Sequence, residues 1–165
     1  MRFFAFLLLL IMLAPSFSLA ESQRVGQKST DWVGNDVVVD ALPDPKIKGV
    51  VCYLSRFQRS AVDRVVGMFK SKNPFVDPSN SSLACRQIAS AIEIGDIDMS
   101  KSGEEIFNHG ISLIFRDLKV LRMYDKENNV LVYLSYSTRI LEGSAKSSVS
   151  VVPLYGQAVT WLGKK

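Results

Sequence analysis

The chain of 165 residues has a single histidine, His109, and only two cysteines, Cys52 and Cys85. One imidazole and two thiols cannot make the usual zinc ligand sets, so a zinc site would have to lean on carboxylates. His109 sits between Asn108 and Gly110, in a polar turn. Without an orienting partner and a nucleophile it reads as solvent-facing rather than as a general base. The cysteines do not form a C-x-x-C pair, which removes the thiol–disulfide exchange motif. No Gly-x-Ser-x-Gly, Ser-x-x-Lys, P-loop or dinucleotide glycine pattern follows the first twenty residues, so the common serine-nucleophile and nucleotide signatures are missing. No cofactor and no metal are expected. Basic residues are scattered and never form a block of five or six, and the net charge is only +4. Nucleic acid is therefore not an expected partner.

What is present begins with an address. Arg2 precedes residues 3–13, which carry no polar side chain, and Ser18-Leu19-Ala20 stands just before Glu21. A basic start, a short apolar run and a small-x-small site read as a secretory signal peptide over residues 1–20. The run is short of the roughly 20 apolar residues that a bilayer span needs; the alternative is an uncleaved N-terminal anchor. Residues 21–165 are then one domain, with no stable membrane insertion once the leader is cut. Losing Arg2 takes the net charge from +4 to +3. Export also bears on sulfur: an even cysteine count in an oxidising compartment favours one Cys52–Cys85 disulfide over two separate buried thiols.

Along the domain, residues 21–35 are polar, the early part reading as loose, with Trp32 and a turn at Gly34-Asn35. Val37-Val38-Val39 reads as a short strand that Pro43 and Pro45 end. Residues 49–57 read as a central strand with both faces apolar: Val51, Tyr53 and Ser55 on one side, Val50, Cys52 and Leu54 on the other. Residues 60–72 switch period. Ser60 is a plausible N-cap and Val62, Val65, Val66 and Phe69 recur at helical spacing, which predicts a short amphipathic helix. Residues 83–94 fit a helix by spacing or an extended segment; the bridge favours an extended start over 82–88, which sets Cys85 opposite Cys52. Residues 95–110 are polar and punctuated. Strands are predicted at 112–115, 120–124, 130–136 and 149–154, the second and third joined as a hairpin by Lys126-Glu127-Asn128-Asn129. The expected fold is a single α+β domain, mostly antiparallel β, with one or two short helices and one disulfide.

Several of these segments together resemble one family. Val38-Val39-Asp40-Ala41 with Asp44-Pro45, then Val51-Cys52-Tyr53-Leu54-Ser55-Arg56, then Cys85 ahead of Ile92-Glu93, are similar to the CreA proteins of Gram-negative bacteria. The similarity continues through Ser112-Leu113-Ile114-Phe115, Val120-Leu121-Arg122-Met123-Tyr124-Asp125 and Tyr133-Leu134-Ser135-Tyr136-Ser137, to Glu142-Gly143-Ser144, Lys146 and Val151-Val152-Pro153. The resemblance implies an exported, periplasmic protein linked by name to catabolite regulation. It implies no catalytic set.

Candidate chemistry is correspondingly thin. Tyr53, Tyr124, Tyr133 and Tyr136 fall on predicted strands, where aromatics are usually core or cross-strand pairs. Sharing an open face with Arg56 and Arg122, they would floor a binding cleft for an unknown periplasmic ligand or protein. Asp98, Ser100, Ser102 and Gly103 fall where an EF-hand loop wants them, but His109 occupies the position of the bidentate glutamate and the match fails. Two function classes remain. One is a non-catalytic binding or interaction module. The other is an envelope-acting hydrolase or transferase built from dispersed carboxylates such as Asp40, Asp44, Glu93 and Asp125.

Overall fold

The structure is a computed structural model and describes residues 22–32, 36–58, 81–107, 118–138 and 146–163. Those residues form strands and turns, with no helix among them. The expectation of an α+β fold is thereby corrected, over the described residues, to an all-β one. The predicted helix over residues 60–72 lies outside the described residues, as do His109 and the predicted strand at 112–115.

Among the described residues, eleven strands make three sheets. β1 (Gln23–Ser29), β2 (Asp36–Pro43), β4 (Val50–Gln58) and β5 (Ser81–Gln87) form the first, in the order β1-β2-β4-β5 and antiparallel throughout. β10 (Ser147–Pro153), β9 (Val130–Ser137), β8 (Leu118–Asp125) and β7 (Glu104–Glu105) form the second in that order, also antiparallel. A small third sheet runs β11 (Ala158–Trp161), β6 (Ala91–Ile94), β3 (Ile47–Lys48), with β11 parallel to β6.

Three local readings change. The early part of residues 21–35 is not loose: β1 pairs along β2 despite being polar, because an antiparallel neighbour satisfies its backbone. β2 runs on to Pro43, which closes the strand at the position where a missing N–H costs least. The tail, for which no element is predicted, adds β11, which finds its partner in β6. The segment 83–94, open to either reading, is extended: it supplies β5, a turn and β6.

β4 is central in its sheet, as its apolar run requires. Its inward side chains Val50, Cys52 and Leu54 are buried with Arg56, while Tyr53 and Ser55 opposite are only half-buried. Cys52 and Cys85 stand directly across the β4–β5 ladder and are joined by a disulfide, their Cα atoms 3.9 Å apart. The Cys85 N–H turns away from β4 and donates to Ser150 Oγ at 2.8 Å. The half-cystines are thus a pair without mutual backbone bonds, the narrow kind of antiparallel site whose Cβ atoms come close enough to bridge. Around the bridge Leu54, Leu83, Leu131, Tyr133 and Val152 close one core, which Ile47, Ile92 and Ile94 of the small sheet complete.

Candidate functional site

The most concentrated chemistry in the described residues is a buried ionic cluster at the β2–β3 turn. Asp44 follows Pro43 and precedes Pro45, and an aspartate in that setting readily bonds the backbone just ahead of it. Asp44 Oδ1 accepts from Lys46 N at 2.9 Å and Ile47 N at 3.0 Å, and also from the Arg122 guanidinium. Asp44 Oδ2 accepts from the Tyr133 hydroxyl at 2.8 Å. Arg122 and Tyr133 face each other across the β8–β9 ladder, on the buried side of their hairpin. The remaining arm of Arg122 donates to Glu104 Oε2 at 2.6 Å, and Glu104 in turn meets Lys46 Nζ. Burial works to raise the Glu104 pKa, but the hydrogen bonds from Lys46 and the Asp98 N–H, with the charges of Arg122 and Lys46, outweigh it. Glu104 is held below the usual carboxylate range. Burial, followed by the neighbouring Asp44 charge and hydrogen bond, pushes the Tyr133 phenol far above its ordinary range, so it remains a neutral donor.

A second cluster lies on the first sheet. Asp40 Oδ1 accepts from Arg24 Nε at 2.6 Å, and Oδ2 accepts from Arg56 Nε at 3.0 Å and Nη2 at 2.8 Å. Burial lowers the Arg56 pKa, against the pull of Asp40. Both clusters have the same character. Each carboxylate is filled by donors, two arginines for Asp40 and an arginine, a phenol and two backbone N–H groups for Asp44, and no buried side-chain nitrogen or oxygen among the described residues lacks a partner. A general base needs a free lone pair directed at a substrate proton; these carboxylates spend theirs on holding strands together.

A protein-family model described as "CreA protein" matches residues 25–157. Protein CreA of Escherichia coli strain K12 is 37% identical over 151 residues, covering 88% of this chain and 90% of that protein. Protein CreA of Escherichia coli O157:H7 gives the same figures. The chain belongs to the CreA family. No solved structure matches it. The CreA match takes in both half-cystines and the whole Asp44 cluster, and leaves out Arg24 and β11.

The six residues proposed from sequence as a cleft floor do not share one open face in this CreA-family chain. Arg122 and Tyr133 are buried together, and Arg56 is buried beside Asp40 on the other sheet. Tyr124 turns inward, packs edge-on against Trp161 with ring centroids 5.3 Å apart, and donates its hydroxyl to Asn129 Oδ1. Tyr53 and Tyr136 are half-buried on the outward sides of β4 and β9. The four dispersed carboxylates are also separate. Asp40 and Asp44 anchor the two clusters, Glu93 pairs with Lys48 at 2.9 Å, and Asp125 accepts from Glu127 N and Asn128 N in the β8–β9 turn. Asp98 accepts from the Ser100 N–H at 2.7 Å and hydroxyl at 3.0 Å, which lowers its pKa.

Lys46 and Glu104 were not singled out by their sequence. A signal for the cluster did exist: Arg122 occupies an inward position between Val120 and Tyr124 in an alternating strand. A guanidinium there has to bring its counter-ions with it.

Proposed function

We propose that this protein is an exported, periplasmic binding or interaction module with no catalysis of its own. One observation carries the reading: Asp40 and Asp44 are saturated by arginine, tyrosine and backbone donors. That arrangement stiffens a scaffold and leaves neither carboxylate free to act as an acid or base. The leader pattern before Glu21 and the disulfide support export. A part in catabolite regulation would then run through what the module binds.

The test is to pass periplasmic extract over the purified 21–165 protein and identify what co-elutes. A stoichiometric ligand or protein supports the module. Release of envelope fragments with nothing retained overturns it in favour of a hydrolase or transferase. Export is tested by mass spectrometry of the periplasmic fraction, which should find a chain beginning at Glu21; a membrane-bound chain retaining Met1 would rule out cleavage.

A further inference from the structure

The first two sheets meet edge to edge without backbone pairing. Leu83 N–H donates to Ser148 Oγ at 3.3 Å and Cys85 N–H to Ser150 Oγ at 2.8 Å. These two bonds lay β5 alongside β10, bringing Ala84 level with Val149 and Arg86 level with Val151. Side chains alternate along strands. Leu83, Cys85, Ser150 and Val152 are buried, so Ala84, Arg86, Val149 and Val151 point outward. The ladder to β9 extends the rows, with Leu134 opposite Val149 and Val132 opposite Val151, both half-buried.

A sheet with one wet face normally carries polar residues there. Here the outward positions are apolar, and Val149 and Val151 are 60% and 45% exposed. Single exposed valines need no explanation, but contiguous rows mark an interaction surface. At the edge of these rows Arg86 donates only to its neighbouring carbonyl, Cys85 O, at 2.9 Å, and it is in no ion pair among the described residues. An arginine beside an apolar patch is the composition of a protein interface core.

We propose that this outward face docks a different protein, which meets it with apolar side chains and one carboxylate placed against Arg86. The inference rests on the interaction-module reading and gives that module its surface. Charge decides the occupant. An anionic membrane surface calls for several clustered cations, whereas on the outward side of the second sheet the described cation, Lys119, is tied to Glu105 at 2.6 Å. A second copy docking by the same face would set the same apolar rows and the same arginine against this one, with no free carboxylate among the described outward residues of the second sheet. On the outward side of the second sheet Glu105 is held by Lys119, and Asp125 is spent on its own turn. A partner carboxylate would form a charge-assisted, bidentate pair with the Arg86 fork.

The experiment places a photo-reactive benzoylphenylalanine at Val151 in the full chain, in the cell that makes it. A control chain carries the probe at Lys48, on the third sheet. The expected result is an adduct with one different protein, identified by mass spectrometry, absent from the control and lost with Arg86→Glu. The identified partner, purified and titrated, should bind R86E at least about tenfold more weakly than the parent, with R86K in between and melting temperatures unchanged. An adduct with a second copy, an adduct with lipid, no adduct, or an adduct indifferent to R86E overturns the proposal. If the face fails but the extract experiment still yields a co-eluting species, the module reading stands and its surface lies elsewhere; if both fail, both fall.

Discussion

Asp44 and Arg122 lie 78 residues apart in the chain and pair side chain to side chain in the interior, 0% and 1% exposed. The turn that leaves the first sheet is thereby tied to the buried side of the β8–β9 hairpin. Tyr133 and the backbone of Lys46 and Ile47 complete the tie.

Removing one partner leaves the other as an uncompensated buried charge. Arg122→Met should therefore destabilise the fold by about 3–5 kcal/mol, read from urea denaturation. Combining it with Asp44→Asn should cost clearly less than the two single changes added together, because they share one interaction. Strict additivity would show that the two groups are not coupled.

The Cys52–Cys85 bridge closes a loop with a sequence separation of 33. Cys52→Ala with Cys85→Ala should lower stability by about 3–4 kcal/mol in the chain-entropy view, seen as a drop of several degrees in melting temperature under oxidising conditions. Both cysteines are in the bridge, so the oxidised chain should show no thiol titre, folded or denatured, until it is reduced. Equal melting temperatures would remove the bridge from the stability of the fold.

Glu104 supplies a pH dependence. Its carboxyl is held lower in the folded chain than its unfolded value of about 4.3. The stabilisation from its ion pairs is complete above that unfolded value and is lost as pH falls through the lower folded one. Stability measured by denaturation should fall in acid below about pH 4. Glu104→Gln should be less stable near neutrality and show a flatter acid limb. An acid limb unchanged by that substitution would assign the effect to other carboxylates.

Gly49 turns the chain between β3 and β4 at φ +91°, and a Cβ built there would lie 2.6 Å from the Ala91 carbonyl oxygen. Gly49→Ala adds a left-handed penalty to a backbone clash and should cost more than about 1 kcal/mol in denaturant titration. A stability equal to the parent would mean that the β3–β6 contact can move aside.

Some of this was legible in residue order. The β8–β9 hairpin was, because two alternating strands and a four-residue turn are local signals, and Asn129 takes the left-handed conformation, φ 51°, that such a turn requires. The Cys52–Cys85 pairing was also within reach, since compartment and count leave few alternatives. Beyond the extended start over 82–88, which the bridge pointed to and β5 bears out, residues 83–94 were not, because their apolar spacing fits either period until a neighbouring strand claims them. Nor were β1 and β11, whose side chains carry no strong pattern; both exist because their backbones find a partner elsewhere in the chain.

Periodicity, turn chemistry and a cysteine count, all readable in order along the chain, established a β-rich body with one sulfur bridge, a central β4 and a β8–β9 hairpin. Folding alone decided that residues 83–94 supply two strands and a turn, that Arg56, Arg122 and Tyr133 go inward to meet Asp40 and Asp44, and that Val149 and Val151 stay outside. The reason is physical. Strand alternation says which residues share a side, but which side is wet depends on sheets formed by residues far away in the chain. A buried charge is tolerated only where those distant residues bring its counter-ion.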